Sequence, residues 1–164
     1  MRSLVKISSL IILSTLIGPL AAAVKLTLEQ PDRFIDLKYP ETTTEKAANA
    51  LTAALIETAQ DYLAEHHKGA ELTITVTDID RAGDVDYGVS MTHHQLRILK
   101  DSIFTRLEFN YQWVAKPGAQ PVTGEVNVKK IFTPTASQMR KANRDGFYYE
   151  RALLLEWLEG LARP

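Results

Sequence analysis

Arg106-Leu107-Glu108-Phe109-Asn110-Tyr111-Gln112-Trp113 is the stretch on which the fold turns. Leu107, Phe109, Tyr111 and Trp113 occupy every second position, with Arg106, Glu108, Asn110 and Gln112 between them. A period of two places the first set on a buried face and the second in water, which is the pattern of a central, half-covered strand. Lys116-Pro117-Gly118 breaks this strand, and Val122 to Phe132 resumes with Val126 and Val128 inward. The two runs therefore read as an antiparallel hairpin.

Working outward, Glu71 to Asp78 alternates Leu72, Ile74 and Val76 against Thr73, Thr75 and Thr77, and Val24 to Leu28 alternates in the same way. Gln95 to Lys100 is a further short strand candidate. Between these, Asp80 to His94 carries Gly83 and Gly88 and reads as a long polar loop. The apolar face of such a sheet needs a cover, and two segments supply it. Thr42 with Glu45 forms a capping-box pattern ahead of Ala47, Leu51, Leu55, Ala59 and Tyr62, one stripe at helical spacing from Thr44 to His66. Lys68-Gly69 marks its end, because glycine accepts the left-handed conformation past a last turn. Thr133-Pro134 reads as the cap of a short helix running to about Lys141. Phe147 to Leu161 is the final helix, with Tyr148, Ala152, Leu155 and Leu158 on one side and Leu154, Trp157 and Leu161 beside them.

The first 23 residues have a different character. Arg2 and Lys6 give a positive start, Ile7 to Leu20 is largely apolar, and Ala21-Ala22-Ala23 offers small residues for cleavage, together the pattern of a secretion signal. The apolar run is shorter than the roughly 20 residues that span a bilayer. The expectation is a cleaved signal peptide over 1–23, a mature chain from Val24 or one residue earlier, and a single soluble periplasmic domain over 24–164, with no stable membrane insertion after cleavage.

With no cysteine, the chain has no disulfides, thiolate metal ligands or thiol chemistry. Loss of Arg2 and Lys6 leaves 17 basic residues against 20 acidic, a net charge of about −3. Nucleic-acid binders show a clustered basic excess; here Lys129, Lys130, Arg140, Lys141 and Arg144 form the one local basic concentration, read as a solvated face, so no nucleic-acid partner is expected. There is no G-x-S-x-G, no serine beside a base and no glycine-rich phosphate loop, so no catalytic set is assigned.

Asp78, Asp80, Asp84 and Asp86 concentrate four carboxylates after a strand. Aligned to an EF-hand loop they fall at positions one, three, seven and nine with Gly83 at six, but Ala82 stands at five and Val89 where the bidentate glutamate belongs. They are the candidate metal residues, with calcium the candidate ion against a default of no cofactor; the alternative is a strand end whose aspartates make turns. His66-His67 and His93-His94 are adjacent pairs whose members point apart, a poor chelating arrangement. Tyr148, Tyr149 and Trp157 form either a binding face or core.

Gln30 to Asp36, Val76-Thr77-Asp78-Ile79-Asp80-Arg81-Ala82-Gly83, Leu96 to Lys100, and Tyr149-Glu150 with Leu155 and Trp157 together resemble the domain-of-unknown-function family numbered 3016, small exported bacterial proteins. Arg81 stands where that family usually has leucine. The resemblance implies the domain limits and the envelope setting, and no chemistry. The expected fold is α+β: an antiparallel sheet of about four or five strands with helices packed on one face. The expected function is non-catalytic binding of an envelope partner or small ligand. The alternative is a hydrolase or metal-binding protein using the acidic loop Asp78 to Asp86 with His93 or His94.

Overall fold

The computed structural model describes residues 22–37, 42–85, 97–99 and 102–161. Strand β1 (Ala23–Leu28) leads through two short 3-10 turns (Pro31–Arg33 and Ile35–Leu37) to helix α1 (Thr44–His66). Then come β2 (Glu71–Asp80), the two-residue strands β3 (Asp84–Val85) and β4 (Arg97–Ile98), the long hairpin β5 (Ile103–Val114) and β6 (Val122–Phe132), and helices α2 (Ala136–Ala142) and α3 (Tyr148–Leu161).

The fold is α+β, and the main sheet has four strands in the order β1-β2-β5-β6. Two of its pairings are antiparallel; β1 and β2 run parallel. A parallel pair cannot be closed by a tight turn and needs a long crossover, which α1 provides. Strands β3 and β4 form a separate two-stranded ribbon, so the stretch expected as one loop begins with Asp80 in β2 and a short strand.

The alternation in β5 lands as its period requires. Leu107, Phe109 and Trp113 are buried and Tyr111 is half-buried, facing Ile79, Val76, Leu72 and Ile74 of β2 respectively. Helices α1 and α3 cover that face: Leu51, Leu55, Ala59 and Leu63 of one and Leu153, Leu154 and Leu158 of the other join the same apolar cluster. On α1 Ala47, Leu51, Leu55 and Ala59 are buried as expected and the stripe ends on Leu63 rather than Tyr62; on α3 Leu154 and Leu158 are buried as expected, with Tyr149 and Leu153 buried in place of Tyr148 and Leu155.

The caps shift similarly. Thr43, not Thr42, caps α1, its hydroxyl accepting from the Lys46 N–H at 3.2 Å. For α2 the cap is Thr135, two residues beyond Thr133, because Gln138 lies three residues on and completes a capping box. Thr135 N–H donates to Gln138 Oε1 at 2.8 Å, and Gln138 N–H returns a bond to the Thr135 hydroxyl at 3.3 Å. Gly69 has φ of 80°, the left-handed turn expected after α1.

Candidate functional site

The acidic run is shaped by a bulge. Register between β2 and β5 slips between Val76 and Asp78, so Thr77 is the extra residue. Before it, even-numbered residues face the core; after it, Ile79 does. The slip places Asp78 and Asp80 on the sheet face that carries no helix; without it they would point into the core. A bulge also increases local twist and ends regular pairing, which suits the last turn of this strand.

Each of the two carboxylates then finds protein partners. Asp78 is 2.7 Å from Nη2 of Arg106, whose other arm pairs with Glu108, and Glu108 also accepts from Asn127 Nδ2 at 2.7 Å. Burial first, then a hydrogen bond and the charge of Asp36, raise the Asp80 carboxyl above its usual range, with Asp78 adding repulsion and Arg106 opposing. Asp36 comes from the second 3-10 turn and also accepts the Arg81 N–H at 2.8 Å. For Asp84 the structure gives the strand backbone; Asp86, His93 and His94 lie outside the described residues. Among the described residues no group of three or more ligand-type side chains is placed to hold a metal ion.

Immediately after this strand the chain buries a charge pair. Arg81 and Glu150 are 4% and 1% exposed, and Arg81 Nε lies 3.3 Å from Glu150 Oε1. Glu150 Oε1 also accepts the Ala82 N–H at 3.0 Å, while Arg81 donates to the Gly146 carbonyl at 2.6 Å and covers the Phe147 ring at 4.5 Å. Such burial is tolerable only when both charges are paired and their remaining positions hydrogen-bonded. The pair ties the end of β2 to the first turn of α3. It is an anchor, and it explains why arginine is accommodated at position 81.

An open groove lies elsewhere, between α1 and α3, with a volume of about 890 Å³. Thr58, Asp61, Tyr62, Glu65 and His66 line it from α1, and Tyr148, Arg151, Ala152, Leu155 and Glu159 from α3, with Asp145 at the turn before α3. On each helix these positions recur at three and four residues, so they form one stripe beside the buried one. Arg151 is fixed in it: Nη2 is 2.7 Å from Glu57, Nε 3.3 Å from Asp145, and Nη1 donates to the Thr58 hydroxyl at 3.1 Å. His66 Nδ1 sits 2.9 Å from the Tyr62 carbonyl and its ring stacks on Tyr62 at 4.5 Å. His67 meets the edge of Trp113 at 5.5 Å and also lies 5.9 Å from Tyr62, so both imidazoles contact that one tyrosine ring.

The three aromatics of α3 separate. Trp157 meets Phe109 and Tyr111 edge-on at 4.8 and 5.1 Å, Tyr149 is buried against Phe132, and Tyr148 lines the groove. The groove was hidden in the sequence, since its residues alternate with the core stripe and read as part of it. The helical spacing of Asp61 and Glu65 with Tyr62 was the available signal.

Among the described residues no helix is long and apolar enough to cross a membrane. The family model described as protein of unknown function DUF3016 matches residues 22–160. No curated protein matches the chain. Among solved structures it is similar to an uncharacterised protein at 9% identity, over 84% of this chain and 90% of that one, with a TM-score of 0.35. A minor lipoprotein from Acinetobacter baumannii matches at 9% identity over 87% of each chain with a TM-score of 0.29. Rare lipoprotein B from Shewanella oneidensis matches at 13% identity over 85% of this chain and 95% of that one, with a TM-score of 0.27. At such TM-scores the likeness assigns no function to this chain.

Proposed function

From the premise that the chain belongs to the family of proteins of unknown function DUF3016, we propose that it is an exported, non-catalytic envelope protein that binds a partner or small ligand in the groove between α1 and α3. One observation carries this reading: the groove is an open cleft of about 890 Å³ framed by two helices that are locked to the sheet by a shared core. Rigid elements present a binding surface without an ordering cost at the moment of binding. Its one guanidinium is engaged by Glu57, Asp145 and Thr58, a network that holds the groove's side chains in position.

Export is supported by the charged start, apolar run and alanines of residues 1–23. The Ala23 N–H donates to the Ala70 carbonyl at 2.9 Å, and Ala23 pairs with Glu71, so cleavage that retains Ala23 keeps β1 whole. This pairing supports a mature chain that starts one residue before Val24 rather than at Val24 itself. Intact mass of the protein from the periplasmic fraction reads this directly. Retention of Met1 to Ala22 in the membrane fraction would defeat the export reading.

The binding reading is tested in cells with a photo-reactive amino acid at Leu155 in the groove, and at Thr75 on the open sheet face as the comparison. Crosslinking is expected from Leu155 and not from Thr75. A silent Leu155 position beside a productive Thr75 position would move the binding surface to the sheet.

A further inference from the structure

We infer that the occupant of the groove is a lysine- or arginine-rich peptide segment of a partner protein. This rests on the binding reading above and adds the chemistry of what is bound. The charges of the groove are lopsided. Its single arginine is already shared between Glu57 and Asp145, leaving Asp61, Glu65 and Glu159 with no ion pair among the described residues. Some acidic residues elsewhere are compensated, Asp78 and Glu108 by Arg106 and Glu156 by Lys130; what sets Asp61, Glu65 and Glu159 apart is that they share one groove. An anion would meet three uncompensated carboxylates and no available guanidinium, whereas a cation finds complementary potential.

The remaining lining suits the rest of a basic side chain. Tyr62 and Tyr148 are half-buried rings on opposite helices, Tyr62 with one face taken by His66, and a ring's open face attracts ammonium and guanidinium groups. Ala152 and Leu155 give an apolar floor for the methylene stem, which such side chains lay along apolar surface while the charge stays wet. Spacing favours several linked cations over one. Asp61 and Glu65 are about 6 Å apart along α1 at the helical rise, and Glu159 lies on the facing helix, so a multiply charged segment meets all three. The groove is open to solvent, leaving room for the backbone of a longer chain.

The probe is a fluorescein-labelled peptide of about ten residues alternating lysine and alanine, followed by anisotropy at near-physiological salt, with a glutamate–alanine peptide as control. The lysine peptide is expected to bind and the glutamate peptide not. Asp61→Asn/Glu65→Gln/Glu159→Gln, all at exposed positions, is expected to weaken binding at least tenfold. Tyr62→Leu or Tyr148→Leu, which leave the charge unchanged, each weaken it severalfold, with circular dichroism reporting that the variants are folded. Glu125→Gln on the open sheet face leaves it unaltered. Binding that ignores the triple variant, or that follows charge while both tyrosine variants match wild type, overturns the inference. So does spermidine binding through these same residues when the peptide does not bind. The Leu155 crosslink separates the two readings: capture of an acidic or neutral segment, or of a second copy of this chain, overturns the basic occupant and leaves the groove in use, whereas no capture removes the groove reading itself.

Discussion

Phe109 and Asn110 are neighbours in sequence with opposite fates, and they measure the β5 period directly. Phe109 is 2% exposed and touches Trp157, while Asn110 is exposed on the open face. Phe109→Ala is expected to cost about 3 to 5 kcal/mol in urea unfolding, against roughly 0.5 kcal/mol or less for Asn110→Ala; equal losses would contradict the buried face. Arg81 and Glu150 pose a sharper question, since each is tolerated because of the other. Arg81→Leu strands a buried carboxylate and is expected to cost about 3 to 5 kcal/mol. Adding Glu150→Gln removes the charge and keeps an acceptor for the Ala82 N–H, so the double variant should recover most of that loss. A double variant as unstable as the sum of its singles would mean that the two side chains are not coupled.

At the scale of an element, the informative features are places where a regular pattern is interrupted. The bulge at Thr77 lets one strand serve two surfaces: its first half buries Leu72, Ile74 and Val76, and its second half turns Asp78 and Asp80 outward. The threonine alternation before it and the aspartates after it are both visible in sequence, but a slip of one residue between them is not, because each half keeps its own period. In β6 the interruption is Gly124, paired with Tyr111. A Cβ there would stand 2.8 Å from Tyr111 Cε1, and the ring also packs edge-on with Trp157 at 5.1 Å. Gly124→Ala should therefore destabilise by about 1 to 3 kcal/mol, the usual cost of overpacking. Pairing it with Tyr111→Leu should relieve most of the penalty, and an unchanged unfolding midpoint for Gly124→Ala alone would show that the ring yields freely.

For the whole molecule, one contact that couples the turns after β1 to the end of β2 joins two acids, Asp36 and Asp80, beside the bond from the Arg81 N–H to Asp36. Burial and Asp36 hold the Asp80 carboxyl above its ordinary value of 3.8. A carboxyl raised by folding favours the folded state while protonated, so its stabilising effect is complete below pH 3.8 and is lost as pH rises through the raised value. Asp80→Asn retains a donor towards Asp36 and cannot ionise. Its melting temperature should exceed that of wild type at neutral pH, with the gap closing as pH falls through the raised value and closed below about 4; a gap constant from neutral pH down to that point would remove the account of a raised Asp80 carboxyl. The sequence by itself determined the four strands of the main sheet, the helix from Thr44 to His66, the burial of Phe109 and the family, because periodicity is local and each residue carries its own preference for a face. Tertiary structure alone decided which faces meet. Arg81 finds Glu150 across 69 residues, Arg151 reaches Thr58 across 93, and β1 joins β2 in parallel. Such pairings depend on the path of the chain around a common core, and a local pattern of apolar and polar residues is the same whichever path the chain takes.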